Sequence, residues 1–177
     1  MRKLATYEIQ RSSPEEFKAT VKTPVILVLD NIRSARNVGS IFRTADAFAL
    51  QHVYLCGITA QPPSRDIMKT ALGADQTVPW TYAKETTQVL SELSQQPCNI
   101  FAVEQSDQPI WLQEFTVNRE KTTVLVLGNE VTGVEQKVMD LCHGSLEVPQ
   151  FGTKHSLNVS VCTGLVVWEL VRQLKYG

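Results

Sequence analysis

Several absences limit what this chain can be. No apolar run approaches the ~20 residues that a membrane-spanning helix needs, and the opening Met1–Glu8 carries no apolar stretch of the kind that makes a secretory leader. The four cysteines (Cys56, Cys98, Cys142 and Cys162) are scattered, with no Cys-x-x-Cys pair. That spacing matches neither a zinc pattern nor a disulfide framework. Cys56 and Cys98 lie in or beside apolar runs and read as buried free thiols, which suits a reducing cytoplasm. A surplus of charge is also missing: 17 basic against 18 acidic residues leave a net charge of -1. Any nucleic-acid contact must then come from a local basic patch rather than from the whole surface. The chain has no Gly-x-x-x-x-Gly-Lys-Ser/Thr phosphate loop and no Gly-x-Gly-x-x-Gly dinucleotide fingerprint. It shows no serine–histidine–acid set, and its three histidines have no ligand-like spacing, so no metal is expected.

What is present is an alternation of apolar runs and amphipathic stretches. Val25–Leu29, Val53–Cys56, Asn99–Val103, Thr123–Leu127 and Ser145–Val148 read as strands, and the continuous runs suit strands buried on both faces. Helices are predicted over 38–49, 64–72 (ended by Gly73), 84–95, 134–142 and 157–174, with Ile41, Ala45 and Phe48 sharing the core face of the first. Thr77–Trp80 holds a proline and reads as an edge or a connection. Strands alternating with helices predict an α/β fold with a mostly parallel sheet flanked by helices. Residues 1–22 read as a short polar arm. It carries five basic and three acidic residues and a helix start at Ser13-Pro14-Glu15-Glu16. Residues 23–177 read as the single domain it docks on, with no repeat or linker.

Three polar clusters fall where strands end, the usual ligand position in open α/β sheets. The first runs from Asn31 to Arg43 and gathers Arg33, Arg36 and Arg43 within eleven residues. Asn37 is a candidate N-cap. Gly39 and Arg43, one helical turn apart, would leave room for a ligand beneath a guanidinium. The plain alternative is a capped helix with Arg43 paired to Asp30 or Asp46. The second cluster, Gly128-Asn129-Glu130-Val131-Thr132-Gly133, puts a carboxylate where a phosphate loop would have none. It suits ribose hydroxyls, a cationic centre or a basic partner, or it is a turn in which Glu130 caps the next helix. The third runs from Val148 through Lys154 and His155 to Asn158, with Ser156 as a helix cap and Asn158 in the first turn. The apolar stretch Gly164–Trp168 suggests a helix buried inside the molecule or at a dimer interface.

Taken together, Asn37-Val38-Gly39 with Arg43, Leu127-Gly128-Asn129-Glu130 with Gly133, and Val148-Pro149 through Gly152 to Ser156-Leu157-Asn158-Val159-Ser160 resemble the three motifs of the SpoU/TrmH family of RNA ribose 2'-O-methyltransferases, within the SPOUT superfamily. Order and spacing agree from about residue 24 to 173. The resemblance implies a C-terminal deep trefoil knot and bound S-adenosylmethionine, contacted around Val103, Glu104, Leu127, Gly128, Val148 and Leu157. It also implies a homodimer packed through the last helix, and tRNA or rRNA as substrate. Arg43 matches the family's catalytic arginine, with Asn37, Glu130, Ser156 and Asn158 around it; Glu130 would pair with Arg43. Arg33, Arg36 and Lys154 would touch RNA. Gln150 departs from the hydrophobic residue expected after Pro149, and Cys162-Thr163 replaces a small-residue pair. A non-catalytic RNA-binding or ribosome-assembly module that keeps the fold is the competing reading, and a nucleotide-binding oxidoreductase is a weaker one.

Overall fold

The computed structural model describes residues 1–9 and 12–177. Gln10 and Arg11, both in the expected N-terminal arm, lie outside the described residues. The arm's helix α1 (Pro14–Ala19) opens on a reciprocal capping box. The Glu16 N–H donates to Ser13 Oγ at 3.2 Å, and the Ser13 N–H donates to Glu16 Oε2 at 2.7 Å.

Seven strands follow: β1 (Thr23–Asp30), β2 (Leu50–Cys56), β3 (Trp80–Ala83), β4 (Cys98–Val103), β5 (Ile110–Trp111), β6 (Thr122–Leu127) and β7 (Gly144–Glu147). Between and after them come α2 (Ala35–Ala47), α3 (Arg65–Ala71), α4 (Ala74–Thr77), α5 (Thr86–Leu93), α6 (Gln136–Met139) and α7 (Val159–Tyr176). The strands form one sheet in the order β3-β2-β1-β6-β4-β7-β5, and every ladder is parallel. The chain first builds outward from β1 to β3. It then returns to lay down β4 two places from β1, and β6 later fills the slot between them.

The pleat of β1 sorts the core. Val25, Leu27 and Leu29 face a layer containing α2, α3 and α7, whereas Ile26 and Val28 face α5 and α6. Both faces are covered, which explains why β1, β4 and β6 are nearly uninterrupted apolar runs. Ile41 and Phe42 of α2 are fully buried, each contributing about 1.5–3 kcal/mol of burial.

The element boundaries correct several expectations. α2 begins three residues earlier than predicted because Ser34, not Asn37, is its cap; Ser34 Oγ accepts the Asn37 N–H at 3.3 Å. Its core face carries Phe42, and Phe48 is the half-buried C-cap. α3 stops at Leu72, itself left-handed (φ 51), before Gly73, and the short α4 follows where no helix was foreseen. β3 starts at Trp80, just past the proline that had argued against a strand, and lies at the sheet edge. α6 is a single turn, and the two-residue β5 is too short to leave a periodic signal. α7 is capped by Asn158, whose Oδ1 accepts the Ser160 N–H at 3.0 Å, so Ser156 is not the cap and Asn158 is not in the first turn.

Candidate active site

Parallel strands point their C-terminal ends the same way, so the three clusters meet along one edge. Asp30, Leu127, Val103 and Glu147 end the adjacent strands β1, β6, β4 and β7. Beyond these ends lies a cavity of about 610 Å³, within the ~300–1,000 Å³ typical of small-molecule sites. Val103, Glu104, Leu127, Gly128, Val148 and Leu157, the six residues marked for the cofactor, all line it. Glu130, Ser156 and Asn158 do so as well.

The clusters are joined by hydrogen bonds centred on Glu130. Its Oε2 accepts the Arg33 N–H at 2.8 Å, and its Oε1 accepts the Ser34 N–H at 3.0 Å and Asn37 Nδ2 at 2.9 Å. Asn37 Oδ1 in turn accepts Asn158 Nδ2 at 3.2 Å. One continuous chain therefore runs from the β6 loop through the β1 loop to the cap of α7. Desolvation pushes the Glu130 carboxyl up, but the bonds from Arg33, Asn37 and Ser34 outweigh it and leave the group below the usual carboxylate range. Glu130 therefore neither caps the next helix nor pairs with Arg43. It closes the loop entering α2, using the N–H groups that a helix start leaves free.

A second set of bonds fixes the loops from behind. Asn129 Nδ2 donates to the Asn31 carbonyl at 2.8 Å, while Asn129 Oδ1 accepts the Val131 N–H at 2.9 Å. Asn31 is left-handed (φ 56), a conformation asparagine tolerates, and its Oδ1 accepts the Ile58 N–H at 3.1 Å. Asp30 is 1% exposed. Its Oδ1 accepts Thr86 Oγ1 at 2.5 Å and Asn31 Nδ2 at 3.0 Å, while Oδ2 has no partner among the described residues. Burial pushes the Asp30 carboxyl above its ordinary value, against the Thr86 bond. Asn31 and Asn129 belong to the first and second polar clusters, and Asp30 enters the sequence reading only as a partner for Arg43; none of the three is given a site role there.

Glu104 lines the cavity with its carboxylate already engaged. Oε2 accepts the Val134 N–H at 3.0 Å and Oε1 the Gln105 N–H at 2.9 Å. It therefore braces the β6 loop, and a side chain on Gly133 (φ 69) would overlap it. Cys162 also lines the cavity, and burial pushes its thiol up to about 11.

Two expectations about the first cluster change. Gly39 is buried, and the space above it is taken by α3 rather than left for a ligand; an added Cβ would overlap Thr70 and the Ile67 carbonyl. Arg43 lies outside the main cavity, in a separate one of about 390 Å³ shared with Ser40, Lys69 and Thr70. Among the described residues it makes no ion pair, so neither Asp30, Asp46 nor Glu130 partners it. Asp46 instead accepts Thr77 Oγ1 at 2.6 Å. Arg33, Arg36 and Lys154 are exposed, with Arg36 3.8 Å from Asp66.

The cavity suits the cofactor implied by the motifs. Leu127, Val148 and Leu157 offer apolar walls, and none of the backbone N–H groups from Phe151 to Leu157 donates to another described residue, which leaves them open to a ligand. Among the described residues no cluster of histidine, cysteine and carboxylate side chains could hold a metal.

Comparison with known proteins agrees with this geometry. The sequence profile of the SpoU rRNA methylase family matches residues 24–168. The 23S rRNA (guanosine-2'-O-)-methyltransferase RlmB of Haemophilus influenzae is 31% identical over 172 residues, covering 96% of this chain and 68% of its own. The chain spans about two thirds or less of the length of the curated relatives it matches. Among solved structures, the TrmH/SpoU tRNA modifying enzyme of A. aeolicus superposes with a TM-score of 0.79 at 26% identity, over 90% of this chain and 81% of that one. The AdoMet-bound rRNA methyltransferase of Sinorhizobium meliloti superposes with a TM-score of 0.77 at 26% identity, over 93% and 62%. With its three motifs drawn to one sheet edge and a family profile spanning most of its length, the chain belongs to the SpoU family of RNA 2'-O-methyltransferases.

Proposed function

We propose that this chain transfers a methyl group from S-adenosylmethionine to a ribose 2'-hydroxyl of rRNA or tRNA. The hydrogen-bonded chain Glu130–Asn37–Asn158, which ties three strand ends around one cavity, is the observation that carries this reading. In this reading residues 23–177 are the methyltransferase domain and residues 1–22 an arm that covers it. The C-terminal loops are knotted as in the family. Val103, Gly128, Val148 and Leu157 hold the cofactor, and Glu104 keeps the β6 loop in place around it. When bound, the cofactor supplies an electrophilic methyl on a sulfonium that departs as a neutral thioether.

The protein's own task is alignment and charge control. An arginine keeps its proton in proteins, so Arg43 acts as a clamp rather than a base. It binds the ribose-phosphate and stabilises the oxygen as it becomes an alkoxide, while the 2'-hydroxyl proton passes to solvent water. Asn37 and Asn158 orient the sugar, Ser156 meets a substrate phosphate, and Arg33, Arg36 and Lys154 contact the RNA backbone. A homodimer forms through α7, whose exposed Val161, Leu165 and Trp168 would otherwise face water. Phe48 lies 6.0 Å from Trp168, centroid to centroid, so that packing brings the Arg43 end of α2 to the interface. Among the described residues the cysteines are free and no helix is long and apolar enough to cross a membrane.

The test is labelled S-adenosylmethionine with separate tRNA and rRNA pools from a strain lacking the gene. Label recovered as a 2'-O-methylated nucleoside in one pool is the expected result. Arg43→Ala should lower transfer by at least ~100-fold, with cofactor affinity by calorimetry within about twofold. Wild-type protein that neither binds the cofactor nor labels either pool would sink the catalytic reading in favour of a non-catalytic RNA-binding module, whereas cofactor binding without label would point to a missing partner or a precursor substrate.

A further inference from the structure

Next to the main cavity, on the far side of the loop after β7, lies a second cavity of about 320 Å³. Trp111 of the edge strand β5 and Phe151 both line it, together with Lys154, His155, Glu147 and Gln105. Nothing in the methyl-transfer reading uses the two aromatic rings. Phe151 is 98% exposed and Trp111 37% exposed. A phenyl ring held in water forfeits about 1.5–3 kcal/mol of burial, so one carried on a loop beside a binding site is noteworthy. The placement is built rather than incidental. Trp111 pairs in register with Glu147, the last residue of β7, and Gln105 Nε2 donates to the His155 carbonyl at 3.0 Å. These contacts fix both sides of the loop that carries Phe151. Glu147, Gln105 and His155 line both cavities, so the two share a wall.

We propose that this second cavity is a nucleobase pocket, in which an unpaired base of the RNA substrate stacks on Trp111 and Phe151. The proposal rests on the RNA reading above and deepens it. Single-stranded RNA is gripped by aromatic faces for the bases and cations for the phosphates. Here the rings supply the faces, and Lys154 with the His155 ring supplies donors for a phosphate at the rim. The Glu147 carboxylate repels a phosphate from the interior and accepts a hydrogen bond from a base N–H, which sets the nucleotide base-inward. The pocket holds a base of the same RNA whose ribose is methylated next door, so it acts in substrate selection and not in chemistry.

The experiment measures binding of a fluorescein-labelled, short single-stranded oligoribonucleotide by anisotropy, with cofactor titration by calorimetry in parallel. Phe151→Ala and Trp111→Ala should each weaken RNA binding roughly 5- to 150-fold, the range for loss of one base–aromatic stack. Cofactor affinity should stay within about twofold. Phe151→Tyr, which keeps a π-face, should bind like wild type, whereas Phe151→Leu should behave like the alanine variant. Phe151 packs on almost nothing, so its variants will fold. RNA affinity unchanged in both alanine variants, with wild type binding well, overturns the pocket alone. A Phe151→Leu variant equal to wild type also overturns stacking. Wild-type protein that binds the tRNA or rRNA pool but not this oligoribonucleotide also overturns the pocket, and wild-type protein that binds none of the three would overturn the RNA reading itself.

Discussion

Glu130 accepts three hydrogen bonds from the loop entering α2, and its removal strands two backbone N–H groups and the Asn37 amide. Hydrogen bonds to a carboxylate are worth about 1.5–3 kcal/mol each when buried, but this side chain is partly solvated and needs discounting. Glu130→Ala should therefore cost only about 1–2 kcal/mol in denaturant titration, yet reduce methyl transfer by ~100-fold or more through loss of alignment. A loss of stability with transfer intact would contradict this role. Because its folded pKa is depressed, the clamp contributes stability above the unfolded carboxylate pKa and loses it as pH falls through the folded value. Asp30 works in the opposite sense. Burial raises its pKa, so the folded state holds the proton more tightly than the unfolded chain. The stability from that preference is full below the unfolded value and is lost as pH rises through the folded one. Asp30→Asn cannot ionise and keeps an acceptor for Thr86. Its Tm should exceed that of wild type at neutral pH, with the difference vanishing at or below about pH 4. An equal gap at both pH values would rule out titration of Asp30 as the cause.

At the scale of elements, α2 is the critical piece, because it carries site groups at its start and packs on α3 along one side. The contact depends on Gly39, which lets the Ile67 carbonyl and Thr70 approach the α2 backbone. Gly39→Ala gains helix propensity but forces the helices apart. A net loss of about 1–3 kcal/mol is expected, as for other overpacked interfaces, and thermal denaturation would measure it. An unchanged or higher Tm would mean that α3 yields easily. The glycine's spacing to Arg43 suggested ligand room from sequence, but the partner at that spacing is a neighbouring helix. The helix caps were legible only in part. Ser13 was found because Pro14 and Glu16 complete a local signature. At α2 and α7 several serines and asparagines compete within a few residues, and only the chain direction chooses Ser34 and Asn158 over Asn37 and Ser156.

At the scale of the whole molecule, a dimer through α7 is the strongest expectation. Leu165→Glu combined with Trp168→Glu replaces exposed apolar groups by charge, so the monomer should fold normally. Sedimentation should show a monomer where wild type is a dimer, and transfer should drop by ~10-fold or more if the second copy brings Arg43 to the site. Dimeric variants, or fully active monomers, would refute the arrangement. With a net charge of -1, RNA affinity must come from a local set of cations; if these are Arg33, Arg36, Arg43 and Lys154, the slope of log affinity against log salt should be no steeper than about -3 to -4.

By itself the sequence determined the alternation of buried strands and amphipathic helices, the parallel sheet and the three clusters at strand ends. Each of these is a local pattern of hydrophobicity or of turn-forming residues, and such patterns survive in one dimension. The six positions that the resemblance marks for a cofactor all line one cavity. Only the tertiary structure decided the pairings among side chains far apart in the chain. Glu130 meets Asn37 across 93 residues and Asn37 meets Asn158 across 121. It also decided that Arg43 stands outside the main cavity, and that Trp111 and Phe151 line one pocket. Those outcomes depend on β6 inserting between β1 and β4 and on β5 pairing beside β7. Strand order is a property of non-local hydrogen bonding that no stretch of the sequence encodes alone.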